Sequence, residues 1–214
     1  MAVSDFNYIV VEGPIGVGKT TLARRLAESF AAELLLEEPQ DNPFLARYYE
    51  NPRAHALSTQ LYFLLQRARQ IHGLRQSDLF NRVRVADFLM DKDWLFAELT
   101  LEPDELTLYQ QVYSQVVGET LRPDLLIYLQ APVSVLQDRI ASRSIGYEQT
   151  IDAQYLQRLV SAYTRFFYHY EASPLVIINA ATIDFANSDE DYQLLFDKLR
   201  NVGRGRHYLN PLPF

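Results

Sequence analysis

The chain has 214 residues, which is enough for one domain that buries a sheet with helices on both sides. Hydrophobic residues make up 48% and charged residues 22%, which excludes a disordered or fibrous chain, and the absence of cysteine excludes disulfides and thiolate metal sites. The net charge of −7 argues against binding to a nucleic-acid polymer, which usually needs a basic surface, but it is compatible with binding a single nucleotide.

Hydrophobic periodicity predicts a chain in which strands and helices alternate. Short apolar runs bounded by turn residues indicate buried strands, and apolar residues spaced three to four apart indicate helices with one buried face. In chain order the predicted elements are strand 8–11, helix 19–30, strand 34–36, helix 53–72, strand 82–87, helices 93–99 and 103–121, strand 124–129, helices 133–142 and 152–170, strand 175–178 and helix 190–200. Because helical crossovers join parallel strands, this order predicts a parallel sheet.

The predicted fold is a single α/β domain over residues 1–214, with about five parallel strands flanked by helices. A loose tail is predicted over about residues 202–214, where Gly203 and Gly205 interrupt the pattern. No apolar run approaches the roughly 20 residues that cross a bilayer, and residues 1–5 carry no signal-peptide pattern. We therefore expect no membrane association and a cytoplasmic location.

A phosphate-binding loop is the strongest functional signal in the chain. The segment matches the pattern G-x-x-x-x-G-K-[ST] and lies between a predicted strand and a predicted helix, which is the context that such a loop requires. The residues predicted to contact the nucleotide are Gly13, Pro14, Ile15, Gly16, Val17, Gly18, Lys19, Thr20 and Thr21. Glycines let backbone N–H groups curl around phosphate oxygens, Lys19 reaches the β- and γ-phosphates, and the Thr20 hydroxyl ligates Mg²⁺. We expect a P-loop NTPase-type fold that binds ATP with Mg²⁺.

The rest of the chain narrows the class of nucleotide-binding protein. The guanine-reading signature N/T-K-x-D is absent, which argues against a GTPase, and no second domain is available for a motor. A small kinase that acts on a small acceptor is the favoured hypothesis.

Two acidic residues at predicted strand ends suit phosphoryl transfer. Glu38, in Glu37-Glu38-Pro39, ends the second strand, where a carboxylate lies near the phosphates and can accept a hydroxyl proton. An exposed acidic turn is the alternative for this segment. Asp87 ends the third strand and can serve as the acidic partner of Mg²⁺.

The long predicted helix carries side chains suited to a nucleobase. Gln60 and Arg67 lie two turns apart on one face, and the Gln60 amide can both donate to and accept from a base edge. Phe63 lies on this helix, and Tyr49 precedes it. For both aromatic side chains, packing in the hydrophobic core is the alternative to a role in binding the substrate.

A pair of arginines follows the fourth predicted strand. Arg139 and Arg143 are four residues apart and therefore share a helix face. Such a pair can clamp a transferring phosphate in bidentate fashion. Solvated ion pairs with Asp138 or other acids are the alternative.

Together and in this order, these motifs resemble the deoxyribonucleoside kinase family, which comprises the deoxycytidine, deoxyguanosine and deoxyadenosine kinases. The resemblance covers about residues 8–200 and rests on Glu37-Glu38-Pro39, on Tyr49-Glu50-Asn51-Pro52 with Gln60 and Arg67 at the family's spacing, and on residues 137–143. It implies a kinase that transfers the γ-phosphoryl group of ATP to the 5′-hydroxyl of a deoxynucleoside, and it implies a homodimer.

The resemblance also implies roles for single residues. Glu38 would be the general base that faces the 5′-hydroxyl, and Tyr49 would hydrogen-bond the sugar 3′-hydroxyl. Phe63 would lie near the base. Residues 139–150 would form a lid over ATP, from which Glu148 reaches the 3′-hydroxyl.

Two departures from the family pattern bear on rate and substrate. The family usually has Glu-Arg-Ser or Asp-Arg-Ser at the end of its third strand, where this chain has Ala86-Asp87-Phe88 and lacks the arginine. Lys92 is a candidate substitute, although it sits where the better-known members place a base-reading aspartate. The lid has Arg143-Ser144-Ile145-Gly146 in place of Arg-Gly-Arg and so lacks one arginine.

Two alternatives to a deoxynucleoside kinase remain open. A nucleoside monophosphate kinase, such as a thymidylate kinase, would need further arginines for the acceptor phosphate near Glu38, where the chain has acids. A non-catalytic nucleotide-binding relative is favoured by the missing arginine and disfavoured by the intact Lys19, Thr20, Glu38 and Asp87. Gln60 with Arg67 suits adenine, guanine or cytosine, with a slight preference expected for purines.

Overall fold

A six-stranded parallel sheet is the frame of the computed structural model, which describes residues 6–76, 83–118, 121–143 and 145–209. The strands are β1 (Tyr8–Glu12), β2 (Glu33–Leu35), β3 (Arg84–Ala86), β4 (Leu125–Gln130), β5 (Leu175–Asn179) and β6 (Arg206–Leu209). Their spatial order is β2-β3-β1-β4-β5-β6. In register, Ile9 of β1 pairs with Val85 on one side and with Leu125 on the other.

Helices connect the strands and cover both faces of the sheet. They are α1 (Lys19–Phe30), α2 (Leu45–Glu50), α3 (Pro52–Gln76), α4 (Lys92–Thr100), α5 (Pro103–Val116), α6 (Val133–Arg143), α7 (Ala153–Tyr168) and α8 (Asp189–Leu199), with 3₁₀ turns at Pro39–Asp41 and Gly146–Thr150. Side-chain hydrogen bonds cap the N-termini of α7 and α8. Asp152 accepts from the Tyr155 N–H at the start of α7, and Ser188 accepts from the Asp191 N–H at the start of α8. Among the described helices, none is long and apolar enough to cross a membrane.

Alternation along the central strands builds a core on each face of the sheet. Leu125 and Ile127 of β4 pack into one core, and Leu126 and Tyr128 pack into the other, as a side-chain period of two requires. Helices α1, α6 and α8 cover the first core, and α3, α4, α5 and α7 cover the second. Because both faces are covered, the central strands are continuous apolar runs, which is why they can be predicted from the sequence.

The strand order creates a crevice at the carboxyl end of β1. The chain leaves β1 through α1 toward β2 and β3, whereas β4 lies on the opposite side of β1. In open α/β sheets, ligands bind at such a switch point. The loop over residues 13–18 lies at this position, between β1 and α1.

The sheet has one strand more than the sequence predicts. We predicted about five strands and a loose tail over residues 202–214, but Arg206–Leu209 form a parallel edge strand beside β5. Because this segment contains an arginine, a histidine and an exposed tyrosine, no apolar run marks it in the sequence. Its position depends on backbone pairing, including a 2.9 Å hydrogen bond from the Leu175 N–H to the Gly205 carbonyl oxygen. Residues 210–214 lie outside the described residues.

Several predicted boundaries also change. The 3₁₀ turn at Pro39–Asp41 and helix α2 follow β2, where no helix was predicted. The helix predicted over residues 103–121 ends at Val116. The strand predicted over residues 82–87 corresponds to β3, and its first residue lies outside the described residues.

We predict that Leu126→Ala lowers the free energy of unfolding by about 2–5 kcal/mol, because it leaves a cavity in the second core. The Leu126 side chain is fully buried. Urea denaturation measures the loss. Leu194→Ala in α8 is the matched control. Because this leucine is 49% exposed, its replacement should lower the free energy of unfolding by only about 0.5 kcal/mol. Equal losses for the two variants would contradict the described core.

Candidate active site

The phosphate loop turns tightly because glycines adopt backbone conformations that other residues avoid. Gly16 and Gly18 have φ angles of 82° and 104°, in the left-handed region. A Cβ atom at Gly18 would also lie 3.1 Å from the Phe185 ring. The Lys19 amine donates to the Gly13 carbonyl oxygen at 2.8 Å and so lies across the loop. The positive end of the α1 dipole points toward the same place, which suits an anion.

Thr20 and Asp87, the predicted partners of Mg²⁺, are in contact. The Thr20 hydroxyl donates to Asp87 Oδ2 at 2.5 Å, and the Glu37 N–H donates to Asp87 Oδ1 at 2.8 Å. Mg²⁺ in phosphate-binding proteins is held by one or two protein oxygens together with substrate phosphates and water. A hydroxyl and a carboxylate beside the phosphate loop fit that requirement.

Burial changes the charge balance next to the loop. Burial and the nearby charge of Lys92 lower the pKa of the Lys19 amine, and neighbouring carboxylates act in the opposite direction. Burial raises the pKa of Asp87, and the hydrogen bond from Thr20 partly offsets this rise. Phosphate near Lys19, or a cation near Asp87, would favour the charged form of each group.

One cavity at the carboxyl ends of β1 and β3 brings together most of the predicted site residues. Those that line it are Ile15, Gly16, Gly18, Lys19, Thr20, Tyr49, Gln60, Phe63, Arg67, Asp87, Arg143 and Glu148. Those that do not line it are Gly13, Pro14, Val17, Thr21, Glu38 and Arg139. The donor loop and the predicted acceptor residues therefore share one space.

A buried ion network forms part of the wall of this cavity. Arg67 Nε donates to Glu37 Oε1 at 2.8 Å, and the same guanidinium pairs with Asp93, which is fully buried. Lys92 Nζ donates to Glu37 Oε2 at 3.1 Å. Glu37 thus faces two cations, one on each carboxylate oxygen. Such geometry orients the carboxylate firmly, because charge-assisted hydrogen bonds are stronger than neutral ones.

The charge state of Glu37 follows from this network. Burial alone raises the pKa of a carboxyl group. Here the charges of Arg67 and Lys92 outweigh burial and lower the pKa of Glu37 to about 2. Glu37 is therefore ionised at neutral pH.

The structure does not support the assignment of Glu38 as the residue that faces the acceptor. Its side chain is exposed and outside the cavity, and its backbone carbonyl oxygen accepts from Gln66 Nε2 at 3.2 Å. Adjacent side chains at a strand end point in different directions, and the bond from the Glu37 N–H to Asp87 orients Glu37 inward. The proline after Glu38 restricts its backbone and not the direction of its side chain.

The two predicted arginines of α6 face different surroundings. Arg139 donates to the carbonyl oxygens of Val17, at 3.1 Å, and Ala180, at 2.7 Å, so it joins the phosphate loop to the end of β5. Only Arg143 lines the cavity. The predicted clamp of two arginines is therefore not present in this arrangement, because the guanidinium of Arg139 bonds to backbone.

Aromatic and polar side chains line the predicted nucleoside side of the cavity. The rings of Tyr49 and Tyr147 stack with centroids 5.8 Å apart, and Gln60 is 4% exposed. Phe63 packs in a small core cluster and also lines the cavity, so its place near the base stays a prediction. Burial raises the pKa of Glu148 above its ordinary value, and the nearby charges of Arg143 and Lys19 offset only part of this rise.

Three charged residues of this site were missed or left open by the sequence analysis: Glu37, Lys92 and Asp93. The segment Asp91-Lys92-Asp93 begins a helix whose next residues are mostly apolar and buried. Charged residues are almost never buried unless they are paired. That contrast is the signal that could have indicated a buried ion network here.

Comparison with known proteins decides the family. The family model described as deoxynucleoside kinase matches residues 9–202, which is most of the chain. The chain belongs to the deoxynucleoside kinase family. The resemblance seen in the motifs is confirmed, and this enzyme transfers a phosphoryl group to a deoxynucleoside.

Individual relatives agree with this family. The deoxyguanosine kinase of Bacillus subtilis (strain 168) is 35% identical over 159 residues, which cover 73% of this chain and 76% of that protein. The deoxyguanosine kinase of Lactobacillus johnsonii is 31% identical and covers 92% of this chain and 94% of that protein. A solved structure of deoxyadenosine kinase from M. mycoides, with dCMP and a flexible dCDP bound, has a TM-score of 0.80 at 22% identity and covers 91% of this chain and 100% of that chain. The P-loop kinase fold is thereby confirmed, and the two alternative functions are not favoured.

We predict that the ionisation of Glu37 makes the free energy of unfolding of this kinase vary with pH in the acidic range. Its pKa falls from 4.5 to about 2 on folding. A carboxyl whose folded-state pKa is the lower one stabilises the fold above its unfolded pKa, and this contribution is lost as the pH falls through the folded value. The difference in unfolding free energy between wild type and Glu37→Gln should therefore be constant above about pH 5 and shrink toward about pH 2. Urea denaturation over a pH series measures it, and a difference independent of pH would contradict the lowered pKa.

Proposed function

We propose that the kinase transfers the γ-phosphoryl group of ATP to the 5′-hydroxyl of a purine deoxynucleoside, with Glu37 as the general base. The observation that carries this proposal is the position of Glu37. Its ionised carboxylate lies in the same cavity as Lys19 and the Thr20–Asp87 pair, on the wall formed by Arg67 and Lys92. An acceptor hydroxyl bound to Glu37 would share this cavity with the phosphates held by the loop.

The reaction needs little covalent chemistry from the protein. Glu37 accepts the proton of the 5′-hydroxyl while the bond from that oxygen to the γ-phosphorus forms and the bond to the β–γ bridging oxygen breaks. A carboxylate with a low pKa is a weak base, but phosphoryl transfer depends mainly on positioning and on stabilisation of charge. Lys19 and the loop N–H groups supply positive charge to the phosphates.

Lys92 takes the role of the arginine that the family usually carries at the end of its third strand. Its Nζ lies 3.1 Å from Glu37 Oε2, which is where a cation can hold both the base and the acceptor oxygen. This supports the substitution considered from the sequence. The chain therefore keeps a positive charge beside the base although Phe88 replaces the arginine.

Thr20 and Asp87 would hold Mg²⁺ beside the phosphates. When bound, the ion neutralises charge on the β- and γ-phosphates. Arg143 and Glu148 also line the cavity, and they belong to the segment assigned to a lid over residues 139–150. We propose that this segment covers the nucleotide through Arg143, with Arg139 supporting the phosphate loop from behind.

The nucleoside would lie along α3. Gln60 and Arg67 suit the base edge, the Phe63 ring suits the base face, and Tyr49 with Glu148 suits the sugar 3′-hydroxyl. A purine is supported by the relatives named deoxyguanosine kinase and deoxyadenosine kinase. The homodimer implied by the resemblance and the cytoplasmic location expected from the sequence stay predictions.

An activity panel tests the proposed reaction. Purified protein is incubated with ATP, Mg²⁺ and each of the four deoxynucleosides, and separately with thymidylate, and the products are separated by chromatography. We expect 5′-monophosphate from deoxyguanosine or deoxyadenosine and little product without Mg²⁺. No product from any deoxynucleoside, or product from thymidylate alone, would overturn the proposal.

A neighbouring pair of variants tests the base. Glu37→Gln should lower kcat by about 10²–10⁴-fold, the usual contribution of a general base, while ATP binding is retained. Glu38→Gln is the matched control, because the same change one residue away affects an exposed side chain outside the cavity, and kcat should stay close to that of the wild type. The reverse pattern would restore Glu38 to the role predicted from the sequence.

A further inference from the structure

Glu12 is a buried carboxylate with no part in the proposed reaction. It is the last residue of β1, directly before the phosphate loop, and it is fully buried without lining the cavity. An ionised carboxylate away from water is costly unless it is paired and hydrogen-bonded. Neighbouring apolar residues of β1 show that an apolar side chain is tolerated on this strand. The carboxylate at this position therefore needs a specific explanation.

Donors from separate parts of the fold converge on Glu12. Oε1 accepts from the Gly13 N–H at 2.9 Å and from the Tyr163 hydroxyl at 3.0 Å. Oε2 accepts from the Leu89 N–H at 2.8 Å and lies 3.6 Å from Lys92 Nζ. One carboxylate thus connects the first glycine of the phosphate loop, helix α7 and the segment between β3 and α4.

The position of Lys92 depends on the two carboxylates that flank it. Its ammonium lies 3.1 Å from Glu37 and 3.6 Å from Glu12, and the side chain is 4% exposed. A lysine ammonium is a point charge on a flexible stem, whereas an arginine fork can orient itself on one carboxylate through two parallel bonds. A lysine that replaces an arginine therefore needs a second anchor to hold its place.

We propose that Glu12 is the positioning residue that holds Lys92 beside the base and ties that cation to the phosphate loop. Glu12 acts through Lys92 and not on the substrate. Because the Gly13 N–H shares the same carboxylate, the distance between the loop and the cation is held by one side chain. This inference rests on the proposed function, in which Lys92 serves Glu37 and the acceptor oxygen.

A double-mutant cycle with Glu12→Gln and Lys92→Met tests the inference. Glu12→Gln alone should lower kcat about tenfold or more with little change in the KM for ATP, because it releases the cation and leaves the loop sequence intact. In the Lys92→Met background the same change should lower kcat by less than about twofold, since the group through which Glu12 acts is gone. If Glu12→Gln lowers kcat by the same factor in the wild type and in the Lys92→Met variant, the inference is overturned and Glu12 is a structural support only.

Folding must be measured beside activity. Both oxygens of Glu12 accept hydrogen bonds from backbone N–H groups. In Glu12→Gln the side-chain NH₂ group replaces one of these oxygens and faces an N–H donor, which is unfavourable for folding. Circular dichroism and thermal unfolding are therefore recorded for each variant. If Glu12→Gln does not fold, Glu12→Asp takes its place in the cycle, since it keeps the charge but shortens the reach to Lys92, and the same coupling is expected.

Two controls separate the possible failures. Glu98→Gln makes the same chemical change at an exposed position of α4 and should leave kcat unchanged. Wild-type turnover of a deoxynucleoside is measured in the same series. No turnover by the wild type overturns the proposed function and this inference with it, whereas wild-type turnover with independent effects of the two substitutions overturns the inference alone.

Discussion

The pairing of buried charges around Arg67 is the interaction on which the rest of the active site depends. This guanidinium bonds to Glu37, which follows β2, and to Asp93 in α4, while it is itself carried by α3. Removing one partner of a buried ion pair costs about 3–5 kcal/mol, because a charge is left without compensation. The ends of these elements are therefore held in one arrangement. The part of the cavity wall formed by Glu37, Arg67 and Lys92 follows from that arrangement.

The parallel sheet places the two halves of the reaction on neighbouring strands. β1 leads into the phosphate loop, and β3, its direct neighbour, ends beside Asp87. Carboxyl ends of parallel strands meet at one edge, so the Thr20 hydroxyl and the Asp87 carboxylate come into contact. The long helix α3 then crosses this edge and presents Gln60 and Arg67 to the same cavity. The residues proposed to bind the two substrates therefore lie in one cavity at the edge of one sheet.

In the proposed reaction, Lys92 supplies the charge that the family usually supplies with an arginine. Lys92 comes from the first turn of α4, not from the strand end, and it reaches Glu37 from the side. The flexible stem of a lysine leaves its charge poorly oriented by one partner. Glu12 gives it a second partner, and the backbone N–H of Leu89 fixes Glu12 in turn. The substitution of one cation by another thus involves several positions that lie far apart in the sequence.

The sequence by itself determined the features whose chemistry is local or periodic. The phosphate loop could be recognised because glycines, Lys19 and Thr20 act through neighbouring backbone groups, and the buried strands could be recognised because both of their faces are apolar. The family could be inferred from several short motifs in a fixed order, among them Glu37-Glu38-Pro39 and the spacing of Gln60 and Arg67 on one helix.

Only the tertiary structure decided which of two adjacent glutamates faces the cavity. That choice depends on partners far away along the chain: the Glu37 N–H donates to Asp87, and the Glu37 carboxylate accepts from Arg67 and Lys92. The partners of Arg139 and Arg67, and the edge strand β6, depend in the same way on contacts between distant segments. A motif can specify which residue types a site contains, but side-chain direction at the end of a strand is set by neighbours in space.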